Sequence, residues 1–423
     1  MEYIKNFQQY KAVRSNLLGD LYFLFLALAV LIMPFDKTFP SLPVNLAAIS
    51  ALLNIVLNGR NTISEMKPFL ISASLYIIFL YAYSISENTQ AAYYDTRAKA
   101  SILFAPLLIG WAKELTRKHI HTLFVFFIFS CFCMTLASLT VASYNYYFQK
   151  QGDLFFYKKL ITFVDMHPAY LGMYVSFCIL YITIYLFKNY EYISSKRRGY
   201  LSILILWFLF YLLLLTSKVA IISSVVFVNV AFLYWSYRYK KLIRGIMIIS
   251  VINFLGILVL LSLQTTKQRM EVLLDPQGTT YENSVESRQY IWKAIYTNLH
   301  DFWLKGVGNG DDTQTLTGFY EKADFKKGVQ EKYNAHNQFL QVWVMCGIVG
   351  LIMYLFLYLY QLKLAWKLRD TLYFLFLIVF IINCTTESML EVQSGIFFFA
   401  FFNAFFLKLH FSSTPEPLPN KTL

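Results

Sequence analysis

The sequence predicts an all-α polytopic membrane protein with about 12 transmembrane helices and one large, partly helical periplasmic loop. Three observations carry that prediction. Of 423 residues, 57% are apolar, 19% aromatic and only 14% charged, which is too apolar to be wrapped around one soluble core with a wettable outside. The apolar stretches recur in runs of roughly 17 to 24 residues, the length that crosses about 30 Å of hydrocarbon at about 1.5 Å per residue. Runs such as LSILILWFLFYLLLLT are apolar on every face, whereas strands of a membrane barrel would alternate.

Taken in order, the spans fall near 18–34, 42–58, 69–85, 98–112, 120–143, 168–187, 200–216, 219–236, 243–263, 337–360, 371–387 and 392–410. The first run, from Leu18 to Pro34, has no small-residue cleavage site behind it and is expected to stay as an anchor. An even number of spans puts both termini on one side. The short connections on that side are Arg60 to Lys67, Lys113 to Lys118, Lys188 to Arg198, Arg238 to Arg244 and Lys363 to Arg369, and with the termini they hold 20 of the 37 basic residues. The positive-inside rule therefore predicts cytoplasmic termini and a periplasmic Gln264 to Ala335 segment. The net charge of +13 reports topology, because no soluble segment combines basic and aromatic residues as a nucleic-acid surface would.

The resulting organisation is 1–263 for helices 1–9, 264–335 for the large periplasmic loop, 336–411 for helices 10–12, and a disordered cytoplasmic tail over 412–423, where SSTPEPLPNKTL is proline-rich. All five cysteines lie inside predicted spans without a metal-ligand spacing, so neither a disulfide framework nor a metal site is expected. The loop is nearly neutral, with nine basic and ten acidic residues. Within it SVESRQYIWKAIYTNL predicts a helix of about sixteen residues, because Tyr290, Ile291, Ala294, Ile295 and Leu299 recur at helical spacing and Ser284 can cap it.

Chemistry is sought where the loop meets the membrane, since one positioned charge matters more at low dielectric. His336 can take a proton near neutral pH; the plainer reading is a histidine packed at a helix start beside Asn334. Arg288 can hold phosphate oxygens bidentately, or simply pair with Glu286 or another loop acid. Lys218 interrupts two apolar runs in LLTSKVAIISS on the loop's side, either as an anion ligand or as a lysine snorkelling from a tight turn. His167 heads a span, and Glu387 and Glu391 flank the last outer turn, where plain solvation is the simpler reading. GVGNG lacks the lysine and hydroxyl that complete a P-loop and reads as a turn, as do the adjacent Asp311 and Asp312.

SRQYIWKAIYTNLHDFWLKGVGNG, a variable stretch and then AHNQFLQVWVMCGIVGLIMYL together resemble the O-antigen ligase and O-antigen polymerase superfamily, and TTESMLEVQSGIFFFAFF looks like a branch of it. The resemblance covers the last half of the chain by motif and the rest by span count. It implies metal-independent, cofactor-free, inverting transfer of a glycan from an undecaprenyl-pyrophosphate carrier to an acceptor hydroxyl at the periplasmic face of a bacterial inner membrane. The acceptor is the lipid A core in a ligase, the reading taken here, or another lipid-linked repeat unit in a polymerase. His336 matches the family's acceptor-activating histidine and Arg288 its pyrophosphate-contacting loop arginine. Lys218 stands where the family has a second arginine, keeping the charge but not the planar fork. His167, Asn337 and Glu387 are secondary candidates. A lipid-linked oligosaccharide flippase or transporter is the rival from another class, but such proteins place charges at mid-membrane and repeat their halves, and neither feature is visible in the sequence.

Overall fold

The structure, a computed structural model, describes residues 2–36, 40–58, 63–112, 115–150, 154–164, 166–262 and 284–411. Residues 264–283 of the predicted loop and the tail over 412–423 lie outside them. The described residues are helical, without a strand. In chain order the helices are α1 (Glu2–Ile32), α2 (Ser41–Asn58), α3 (Ile63–Ala73), α4 (Leu75–Ile85), α5 (Thr89–Ala98), α6 (Ser101–Trp111), α7 (Arg117–Phe148), α8 (Pro168–Lys188), α9 (Ser195–Leu215), α10 (Lys218–Arg238) and α11 (Leu242–Ser262). They continue with α12 (Ser284–Thr297), α13 (Asp312–Lys322), α14 (Lys326–Glu331), α15 (Gln338–Lys367), α16 (Thr371–Cys384) and α17 (Gln393–His410).

Each predicted span coincides with one of these helices or, for 69–85, with the α3–α4 pair. Among the described residues six stretches are long and apolar enough to cross a membrane, namely Glu65–Ile85, α7, α8, α9, α10 and α15. Leu17–Ile32, Ser41–Val56, Leu242–Phe254 and Thr371–Cys384 are apolar but shorter. The chain is a multi-pass helical membrane protein.

Helix α17 runs through the centre. From Ser394 to Lys408 each of its side chains is buried, as expected of a helix that is apolar all round and therefore needs partners on every face. Phe402 lies 4.7 Å from Phe127 and 5.0 Å from Phe177, ring centroid to centroid, so α7, α8 and α17 meet on aromatic edges. On its other side α8 packs closely on α10 through small residues. A Cβ on Gly172 would stand 2.7 Å from the Ser217 hydroxyl, and Ser224 donates to Ser176 at 3.0 Å, the kind of contact that holds helices together where lipid offers no hydrophobic drive.

The described part of the large loop has its own core. Ile291, Ile295, Phe302, Leu316, Phe319, Tyr320 and Phe325 are buried together with Leu340 and Val344 of α15. The loop helix ends at Thr297 rather than Leu299, which opens a 3-10 turn. Tyr290, expected on the apolar face, is 42% exposed, yet it stacks on Phe325 at 5.6 Å.

GVGNG is a packing turn inserted into a broken helix. Gly347 interrupts α15 at φ 64°, ψ −170°, backbone that only glycine adopts without strain. The break frees two carbonyls, which accept from the loop: Val307 N to Val344 O and Gly308 N to Met345 O, both 2.9 Å. Ile348 N donates back to Trp303 O at 2.8 Å. On its other side Asp311 accepts from the backbone amides of Glu87 at 2.8 Å and Asn88 at 3.2 Å, so it ties the turn to the α4–α5 connection rather than closing its own turn.

Candidate functional site

The chain enters α15 through Asn334 to Asn337. His336 takes a left-handed backbone, φ 42°, while its amide donates to Asn334 Oδ1 at 2.9 Å. Asn337 caps α15 by accepting from the amides of Phe339 at 2.9 Å and Leu340 at 3.2 Å, the standard device for satisfying a helix's first N–H groups. Its own amide donates to Thr385 O at 3.1 Å. Next to it the Gln338 side chain accepts from Leu390 N at 2.6 Å and donates to Glu391 at 3.0 Å. The start of α15 is thus clamped to the turn between α16 and α17, which fixes His336 beside Glu387.

Glu387 is the centre of the site, with its side chain only 7% exposed. One carboxylate oxygen accepts from Arg288 Nη2, and the other lies 2.8 Å from His336 Nδ1. Burial alone would raise the Glu387 pKa, but the hydrogen bond from His336 and the charges of His336, Arg288 and His167 bring it down to about 2. An ionised carboxylate can only accept, so His336 Nδ1 meets it with a hydrogen, and Nε2 is the ring nitrogen left for another partner. Arg288 donates one arm to Glu387, while its Nε is buried without a hydrogen-bond partner among the described residues.

His167 joins the same electrostatic unit. It caps α8, with the Ala169 amide 3.3 Å from Nδ1 and Pro168 at the first helical position. Burial lowers its pKa to about 4, with Glu387 opposing and Lys158, His336 and Arg288 adding to the shift. It is therefore a neutral imidazole at pH 7. Lys218 heads α10, exposed, next to the Ser217 that packs on Gly172 in the second turn of α8. The structure brings it to the same end of the bundle as His167, but not into an ion pair with Glu387, whose partners are Arg288 and His336.

The sequence reading is corrected at several points. Arg288 pairs with Glu387 rather than with an acid of its own loop. Neither Glu387 nor Glu391 is solvated: Glu391 is 12% exposed and pairs with Lys99, which is 1% exposed and also holds Asp95. Burial raises the Glu391 pKa against the pull of Lys99. Asn309 of the glycine turn joins this second network, donating to Asp95 at 2.7 Å and Thr96 at 2.8 Å. Asp312 takes a bond from Gln341 Nε2, and burial, with Glu391 and Asp95 nearby, pushes its pKa up to about 7. The one available sequence signal for Lys99 was a lysine four residues after Asp95 at the head of an apolar run.

No group of three or more His, Cys, Asp or Glu side chains among the described residues is arranged to hold a metal ion. What the site can do is hold an anion at Arg288 and accept a proton at His336, with Glu387 orienting both.

In comparison with known families, residues 201–355 match the family model described as O-antigen ligase. The matched stretch contains Lys218, Arg288, His336 and Asn337, and it ends before Glu387. No curated protein matches the chain.

Proposed function

On the premise that the chain is a member of the O-antigen ligase superfamily, by its match over residues 201–355, we propose that it is an O-antigen ligase: a membrane glycosyltransferase moving a glycan from an undecaprenyl-pyrophosphate carrier to a hydroxyl of the lipid A core. The observation that carries this reading is the convergence of Arg288 and His336, 48 residues apart in the chain, on the one buried carboxylate of Glu387. In this reading the pyrophosphate lies on the unoccupied donors of Arg288, with Lys218 as a second cation at the same end of the bundle. His336 Nε2 takes the proton of the acceptor hydroxyl as its oxygen attacks the anomeric carbon. The bond to the lipid pyrophosphate breaks on the opposite face, the configuration inverts, and Arg288 stabilises the departing charge. Glu387 holds the imidazole in the required tautomer, as a carboxylate does in a hydrolase triad. The transfer energy resides in the lipid-pyrophosphate bond, so no nucleotide is needed, and in this reading Arg288 and Lys218 supply the positive charge that a metal would otherwise bring. Abolition of transfer by a chelator and its restoration by magnesium or manganese would overturn the metal-free step.

The direct test is complementation of a bacterial strain lacking its own ligase, with lipopolysaccharide run on a gel at matched expression. Wild type should restore long-chain lipopolysaccharide, whereas Arg288→Ala and His336→Ala should not. His336→Asn separates chemistry from folding, because asparagine tolerates the left-handed backbone but supplies no base. It should accumulate normally and lose about 10²- to 10⁴-fold in rate. Rescue by wild type of a polymerase-null strain instead would assign the acceptor as a lipid-linked repeat unit. Full activity of the alanine variants would place the chemistry elsewhere.

A further inference from the structure

At the end of the bundle away from Glu387, a cavity of about 1210 Å³ opens between α7, α8, α9, α16 and α17. Helix α8 measures the separation: it runs from the His167 cap to Lys188 on the cavity rim over 21 residues, roughly 31 Å of helix. The two sites therefore stand at opposite membrane faces. The rim carries Arg117, Lys188, Arg197 and Arg369, and none of these forms an ion pair with a described residue. Among the described residues the sole carboxylate lining the cavity, Asp370, is engaged by His410 Nε2 at 2.7 Å, and its amide-capping bonds to Leu372 and Tyr373 commit its other oxygen. Four cations thus share one opening with a single described carboxylate that also serves His410, which leaves an excess of positive charge at the rim.

Below the rim the lining turns apolar and aromatic. Ile128, Phe132 and Trp207 form its deep part. The floor is closed where Trp207 meets Phe132 edge-on at 5.9 Å and donates to Thr135 at 2.9 Å. From Arg117 to Phe132 the lining descends roughly 22 Å along α7, more than the ~15 Å of one leaflet of hydrocarbon. The opening is lateral, since Val125, Phe129 and Ile203 on its edge are 53%, 59% and 64% exposed on a surface that faces lipid. A small soluble anion would satisfy the rim and leave this slot empty, whereas an acyl chain alone would leave the cations unpaired.

We propose that this slot binds an anionic glycerophospholipid from the leaflet opposite the Glu387 site, its phosphate among Arg117, Lys188, Arg197 and Arg369 and one acyl chain against Ile128, Phe132 and Trp207. Headgroup charge selects the lipid, because each basic side chain near the surface favours an anionic lipid. The bound chain fills the space between α7 and α9 that the protein leaves open, which makes the lipid part of the packing on that side.

The test uses the full-length protein purified in detergent and offered equal amounts of dioleoyl phosphatidylglycerol and dioleoyl phosphatidylethanolamine, with bound lipid read by native mass spectrometry. The expected result is retention of phosphatidylglycerol at least about tenfold over phosphatidylethanolamine. Arg197→Gln with Arg369→Gln should lower that preference by roughly tenfold or more, and Ile128→Trp, which fills the slot, should reduce retention while leaving the rim charges in place. Equal retention of the two lipids by the wild type overturns the proposal without recourse to any variant. Displacement of phosphatidylglycerol by millimolar inorganic phosphate also overturns it, as the acyl chain would then contribute nothing. Unchanged retention in both variants would do the same by placing the lipid elsewhere.

Discussion

At the scale of single residues, one carboxylate organises the site. Glu387 binds Arg288 from 99 residues earlier and His336 from 51 residues earlier, so three chain segments depend on it. Its pKa of about 2, against an ordinary 4.5, has a definite sign. The stabilisation is fully present above pH 4.5 and is lost as pH falls from there toward 2, amounting to on the order of 3 kcal/mol. Glu387→Gln should therefore lower the thermal unfolding temperature in detergent most at pH 7, with the gap to wild type closing between pH 4.5 and pH 3. A constant gap over that range would mean that the carboxylate charge does not contribute to stability. The same variant should lose transfer activity, because Arg288 and the imidazole would no longer be held. Arg288 and His336 could be named from the sequence as candidates by residue type and place in the loop, but not as neighbours. Glu387 stood only as a secondary candidate, an acid flanking an outer turn, since nothing local announces a partner 51 or 99 residues away.

Among the elements, α15 is the one whose detail governs the site. Its first residues carry His336 and Asn337, and its break at Gly347 receives the backbone of the glycine turn. A Cβ at Gly347 would stand 2.1 Å from Leu304 O and 2.4 Å from Leu304 C, backbone atoms that cannot swing aside. Gly347→Ala should cost at least about 1–3 kcal/mol from the strained backbone alone, and should lower activity by shifting the loop against α15. Gly318 provides the contrast. It lies inside α13 with nothing near its would-be Cβ, so Gly318→Ala should stabilise by about 0.5–1 kcal/mol. Thermal unfolding of the two variants side by side checks both. Hydropathy located α15 as a span but could not register the break, because Gly347 sits in an apolar run whose composition is that of an unbroken helix.

For the molecule as a whole, the Glu387 and Lys99 networks gather at one end and the basic cavity rim lies at the other, which sets a testable orientation. Lys322, 62% exposed on α13, shares the end of the bundle with Glu387, while Arg238 closes α10 at the far end. An impermeant maleimide should label Lys322→Cys in intact spheroplasts and Arg238→Cys only after lysis. The opposite pattern would put the Glu387 site in the cytoplasm. Background labelling is limited because Cys131, Cys178, Cys346 and Cys384 are buried and Cys133 is partly so. By itself the sequence determined that the chain is helical and membrane-embedded and roughly where each apolar helix lies, and it offered the charged loop residues as candidates. Those properties are set by the local density of apolar side chains and by residue chemistry, both written along the chain. Only the tertiary structure decided that the phenylalanine-rich α17 is the central helix, that Lys99 and Glu391 form a buried pair, and that Glu387 joins Arg288 to His336. These depend on which helix faces complement one another across long separations in the chain, and in lipid that choice rests on close packing and paired polar groups rather than on hydrophobicity, which all the spans share.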